Sequence, residues 1–178
     1  AHAVGDTQAS VAAAIRRVVS MQQENGGFAM WPFARGVAED ASLYAVHFLV
    51  EARAAGFDVP ADRLDAALAW LRGRLDRAIP AGADETEWNA DMQARAYMCH
   101  ILALAGRADD GWNARLREQS ARLNFAARAH AASALLLAGE PRQALPLLES
   151  LALPATRPRT PGRLLDSDVR DAALLLSA

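Results

Sequence analysis

The chain has 178 residues, enough for one domain with a real core, and at 52% hydrophobic it is not a disordered sequence. A formal charge of −2, with nineteen basic residues scattered among 21 acids, leaves no basic stripe for a phosphate backbone and excludes nucleic acid as a partner. The single Cys99 excludes an internal disulfide framework, and no run approaches the roughly 18 consecutive apolar residues that a membrane span requires.

Aromatics supply 6% of the residues while alanine is the commonest type, a balance that favours closely packed helices over strands. In chain order, Val11, Ile15, Val18 and Val19 predict a first helix from about Asp6 to Gln22, closed by Gly26-Gly27. A second helix begins near Glu39-Asp40, acids suited to the positive end of the helix dipole, and runs to Gly56. A third, with Pro60 near its first turn, carries Leu64, Leu68, Leu71 and Leu75 on one face.

After a loop "IPAGADETEWN", the fourth helix is "ADMQARAYMCHILALAG" to Gly106, the fifth "GWNARLREQSARL", the sixth "FAARAHAASALLLAG" to Gly139 and the seventh "PRQALPLLESL". Leu153 to Gly162, rich in proline, reads as an exposed loop, and a last helix starts near Asp166-Ser167. Ala-rich helices ending at Gly56, Gly106 and Gly139, each followed by a more amphipathic one, predict helical hairpins in series. An open solenoid and part of a closed α/α toroid both fit, and the unequal repeat spacing counts against the solenoid. The expected fold is all-α, residues 1–178 forming a single domain.

None of the candidate sites forms a catalytic constellation. Cys99 and His100 are a thiol and an imidazole side by side, but adjacent helix residues point about 100° apart, so packing is the expected role of Cys99. His47 and His130 each lie nine residues before a hairpin glycine, and their spacing supplies no further metal ligands. "DSDVRD", Asp166 to Asp171, shares residue types with terpene-cyclase acid motifs and equally suits a helix start. Asp84, Glu85 and Glu87 beside Trp88 read as a solvated loop. No cofactor is expected.

The stretch "SMQQENGGFAMWP" is a glutamine-rich helix end, a Gly-Gly-Phe turn, and then Met30, Trp31 and Pro32. Turns are usually polar, so this much apolar surface on a glycine turn must be buried against something. Followed by "EDASLYAVHFLVEARAAGFDVPADRLDAALAWLRGRL", "ARAYMCHILALAGRAD", "HAASALLLAGEPRQALPLLESL" and "DSDVRDAALLLSA", in that order, it closely resembles the thioester domain of bacterial α-2-macroglobulins.

The resemblance covers nearly the whole chain and implies the downstream part of an α/α toroid within a large protease-trapping inhibitor, not an enzyme. In that family, bait cleavage exposes an internal Cys-Gln thioester, which acylates amines on the attacking protease. The implied partners are target proteases and other domains of the same polypeptide, and the implied location is the periplasm or cell envelope. The family's Cys-x-Glu-Gln motif is absent here, since Cys99 is followed by His100 and Ile101. The loop "ADETEWNAD" also lacks the acyl-transferring histidine of some complement relatives, which implies direct attack by amines.

In the same family, aromatics near the glycine turn shield the thioester from water. Phe28 and Trp31 match that position, and closure of the hydrophobic end of the hairpins is the competing role for both. The apparent absence of finishing signals at both chain ends predicts exposed apolar edges open to self-association. From other classes, a helical-repeat module binding protein partners, or part of a toroidal terpene cyclase or prenyltransferase, fits the helical pattern.

Overall fold

A computed structural model describes residues 2–79 and 82–151. The predicted loop from Leu153, the helix from Asp166-Ser167 and "DSDVRD" lie outside them. The described residues form seven helices and no strand: α1 His2–Ser20, α2 Glu39–Ala54, α3 Ala61–Leu75, α4 Glu85–Leu104, α5 Asp110–Glu118, α6 Phe125–Leu137 and α7 Pro141–Glu149. They fall into two compact units that divide after Arg77, the first holding α1 to α3 and the second α4 to α7.

The Ala-rich helices end by one recurring backbone device. Gly56, Gly106 and Gly139 all take positive φ, a conformation glycine adopts without a Cβ penalty. The amide of each donates to the carbonyl three residues back (Arg53, Ala103, Leu136). The following amide donates five back, Phe57 to Ala52 at 3.0 Å, Arg107 to Leu102 at 2.8 Å and Glu140 to Leu135 at 2.8 Å. These Schellman closures satisfy the last carbonyls and turn the chain into its next helix.

In the first unit, Leu43, Val46 and Leu49 of α2 are buried together with Leu64, Leu68, Leu71 and Leu75 of α3, all four members of the predicted stripe. Each such side chain contributes roughly 1.5–3 kcal/mol on leaving water. Glu39, in the first turn of α2, pairs with Arg74 in the last turn of α3 and with Arg77 just beyond it. In the second unit α4 and α6 form the most extensive helix pair, and alanines (Ala96, Ala127, Ala131, Ala134) let the two backbones approach.

Several element boundaries differ from the sequence reading. Asp84, Glu85 and Glu87 are not a solvated loop. The Asp84 carboxylate accepts the Glu87 amide at 2.9 Å and the Glu87 carboxylate accepts the Asp84 amide at 3.1 Å, so a capping box starts α4 five residues earlier than predicted. Helix α5 stops at Glu118, before "QSARL", and Asn124 beyond it accepts the Ala127 amide at 2.9 Å as the cap of α6. Helix α1 starts earlier and ends at Ser20, because Gln22 pairs in extended conformation with Phe28.

Candidate functional site

The Gly-Gly-Phe turn is built by interlocking main-chain and side-chain bonds. Ala29 donates to the Met21 carbonyl at 3.0 Å and Gln23 to the Gly27 carbonyl at 2.7 Å, with Gly26 at positive φ between them. The Gln22 amide nitrogen donates to the Gly26 carbonyl at 3.1 Å and to the Arg63 carbonyl at 2.9 Å, tying the turn to the start of α3. Asn25 accepts the Gly27 amide at 3.1 Å.

Both glycines are required by space. A Cβ on Gly26 would overlap the Ala66 carbonyl, and one on Gly27 would lie 2.7 Å from Val37 and 2.8 Å from Trp70 Nε1. The turn thus packs its bare backbone onto α3, a close approach only glycine permits.

Phe28 is 1% exposed and belongs to the core of the first unit. Its amide donates to Ser42 Oγ at 2.8 Å, its carbonyl accepts the Ala38 amide at 2.8 Å, and the Ser42 hydroxyl lies 2.7 Å from the Ala38 carbonyl, to which it donates. Trp31, three residues on, is 68% exposed. The two aromatics that the sequence pairs therefore occupy different environments, one inside and one in solvent. Met30 is also exposed and Phe33 is wholly so, at a φ of 67°. Beside the turn, Asn25, Val37, Glu39, Trp70 and Arg77 line a cavity of about 210 Å³.

The other sequence candidates have structural surroundings. Cys99 is fully buried and forms no disulfide. His100 lies instead against His130 and Tyr97, with ring centroids 5.5 Å from His130 and 6.3 Å from Tyr97, and Tyr97 is 4.6 Å from His130. His47 is half-buried on α2, 3.7 Å from Glu51 one turn on. Desolvation by burial pulls its pKa below the usual imidazole value against the opposing pull of Glu51. Among the described residues no group of three or more His, Cys, Asp or Glu is placed to hold a metal ion, and no helix is long and apolar enough to cross a membrane.

Sequence reasoning missed the fully buried Arg95, which pairs with Asp91 and lies 4.7 Å over the Trp112 ring. It also missed Ser42, the one serine of α2. The i, i+4 spacing of Asp91 and Arg95 was the one available signal for the first, and nothing local marks the second.

No family model matches the chain, and neither does any curated protein. Solved structures of bacterial alpha-2-macroglobulins do. The chain is similar to Escherichia coli alpha-2-macroglobulin activated by porcine elastase, with a TM-score of 0.79 and 27% identity over 97% of this chain and 16% of that one. It is similar to native E. coli alpha-2-macroglobulin spanning domain MG7 to the C-terminus, with a TM-score of 0.75 and 25% identity over 97% of this chain and 28% of that one. Salmonella alpha-2-macroglobulin reacted with methylamine gives a TM-score of 0.72 and 26% identity over 89% of this chain and 11% of that one. The chain spans between 11% and 28% of these solved chains.

Proposed function

We propose that the chain is the downstream part of the thioester domain of a bacterial alpha-2-macroglobulin, a segment of an α/α toroid that frames the thioester of a protease-trapping inhibitor. The observation that carries this reading is the match of 97% of the chain to such a protein at a TM-score of 0.79. The Gly-Gly-Phe turn and the order of its hairpins support it independently from the sequence. The segment itself catalyses nothing. Its parent acts in the periplasm or cell envelope, with proteases as its targets.

This segment holds no Cys-x-Glu-Gln and its one cysteine is buried, so a reactive cysteine and glutamine, in a parent that carries them, belong to another part of the polypeptide. What the segment contributes is a wall. Phe28 holds the turn from below, and Trp31, still open to solvent, supplies the apolar cover that keeps water from a strained acyl group.

Incubating the full-length parent with methylamine tests the reading. A newly released thiol with mass gained at a glutamine, together with covalent retention of an added protease, is the expected result. A parent that releases no thiol and retains no protease rejects it. Retention without thiol release places the parent among relatives that trap by enclosure alone.

A further inference from the structure

We propose that Asn25 and Gly26 form a latent self-modification site, an asparagine that the closed turn holds unreactive and that converts to isoaspartate through a cyclic imide once the turn opens. Asn25 is the one asparagine of the chain followed by glycine, whereas Asn89, Asn113 and Asn124 precede alanine or phenylalanine. The reaction joins the side-chain Cγ to the amide nitrogen of the next residue, and a glycine there has no Cβ to hinder the approach. The chemistry requires no thioester, protease or second domain.

The two reacting groups sit in opposite environments. Asn25 is exposed, and its Oδ1 accepts the Gly27 amide at 3.1 Å, a bond that draws electrons from Cγ and favours attack on it. Gly26 is buried against Ala66 and Trp70 of α3, and its N–H donates to the Gln23 carbonyl at 2.9 Å. That proton must leave before the nitrogen can attack. Gln23 is itself fixed, because its amide donates to the Gly27 carbonyl at 2.7 Å, and Gln22 Nε2 clamps the Gly26 carbonyl at 3.1 Å while donating to Arg63 at 2.9 Å. The closed turn thus holds a primed carbonyl beside a locked amide. Reaction waits on local opening.

The steps balance with water as the co-reactant. The Gly26 nitrogen, its proton taken by solvent base, bonds to Asn25 Cγ, and the Cγ–Nδ2 bond breaks to release ammonia. Water then opens the five-membered imide. Attack at Cγ breaks the new bond and leaves aspartate on the original main chain. Attack at the Asn25 main-chain carbonyl breaks the original peptide bond and leaves isoaspartate, whose chain runs through the former side chain with one extra backbone carbon. That longer link does not fit the turn. Gly26 already lies so close to α3 that a Cβ on it would overlap the Ala66 carbonyl, and the Ala29 amide must still reach Met21 at 3.0 Å across the insertion. An opening that lasts long enough to react becomes permanent.

Peptide mass spectrometry on the 178-residue chain, kept at mildly alkaline pH, follows conversion at position 25. Conversion in the native chain should be at least about tenfold slower than in the same chain unfolded in guanidinium. Gln22→Ala, which removes the clamp, should raise the native rate severalfold. When the unfolded, partly converted pool is refolded, the folded fraction should retain aspartate at position 25 and be depleted of isoaspartate, the two being told apart by fragmentation. Equal native and unfolded rates overturn the proposal, as does an unfolded chain that leaves Asn25 unconverted. An unchanged rate in a folded Gln22→Ala chain overturns it by assigning the protection to something other than this turn. A folded fraction as rich in isoaspartate as the unfolded pool overturns it by showing that the turn tolerates the longer link. Should Gln22→Ala not fold, the two comparisons on the unaltered chain decide.

Discussion

Ser42 and Phe28, fourteen residues apart, share a hydrogen-bonded junction in which the Ser42 hydroxyl receives the Phe28 amide at 2.8 Å and lies 3.2 Å from its carbonyl. Both residues are buried, so water cannot replace the hydroxyl. Ser42→Ala is therefore expected to destabilise the chain by about 1–3 kcal/mol, the cost of an unsatisfied buried amide. Urea unfolding measures it. A change below about 0.5 kcal/mol would show that the turn finds another acceptor.

Phe28 and Trp31 separate in the same measurement. Phe28→Ala removes a core ring and should cost about 3–5 kcal/mol, while Trp31→Ala should stay within about 0.5 kcal/mol. If the proposed function holds, Trp31→Ala, which leaves the fold intact, should shorten the thioester lifetime of the full-length parent. An unchanged lifetime assigns the cover elsewhere.

The glycines give a graded pair. Gly26→Ala combines positive φ with overlap on the Ala66 carbonyl and should cost at least about 2 kcal/mol. Gly56→Ala meets open space and should cost about 1 kcal/mol, from its positive φ alone. Thermal unfolding of the two variants ranks them. Equal costs would mean that the turn shifts away from α3 without penalty.

His47 makes stability depend on pH. Burial lowers its pKa in the folded chain below the ordinary imidazole value of about 6.5, so the unfolded chain binds the proton more readily. The contribution is fully present above about pH 6.5 and is lost as pH falls through that value toward the lowered folded pKa. His47→Gln should flatten this part of the profile, read as the difference in melting temperature between the two proteins from pH 8 to pH 5. A difference independent of pH would show that the imidazole keeps its usual affinity for the proton.

The hairpin arrangement is legible in the sequence because it depends on local signals. Glycine at Gly56, Gly106 and Gly139 marks helix ends, and the leucines of α3 recur at helical spacing. The start of α4 was legible too, in Asp84 and Glu87, but the acids were read for their charge and not for their three-residue spacing. The site resists such reading. A turn has no period, so nothing in "GGFAMW" tells which aromatic faces inward. That depends on Ser42, Ala66 and Trp70, which reach the turn only once the helices have packed.

The glycine closures have one more consequence. Each ends its helix with main-chain bonds alone, and around Gly56, Gly106 and Gly139 there is open space. No side chain has to be preserved at these corners beyond the glycine itself. They are the places where the chain can accept an inserted peptide, an epitope or a fluorescent reporter while the paired helices stay in register.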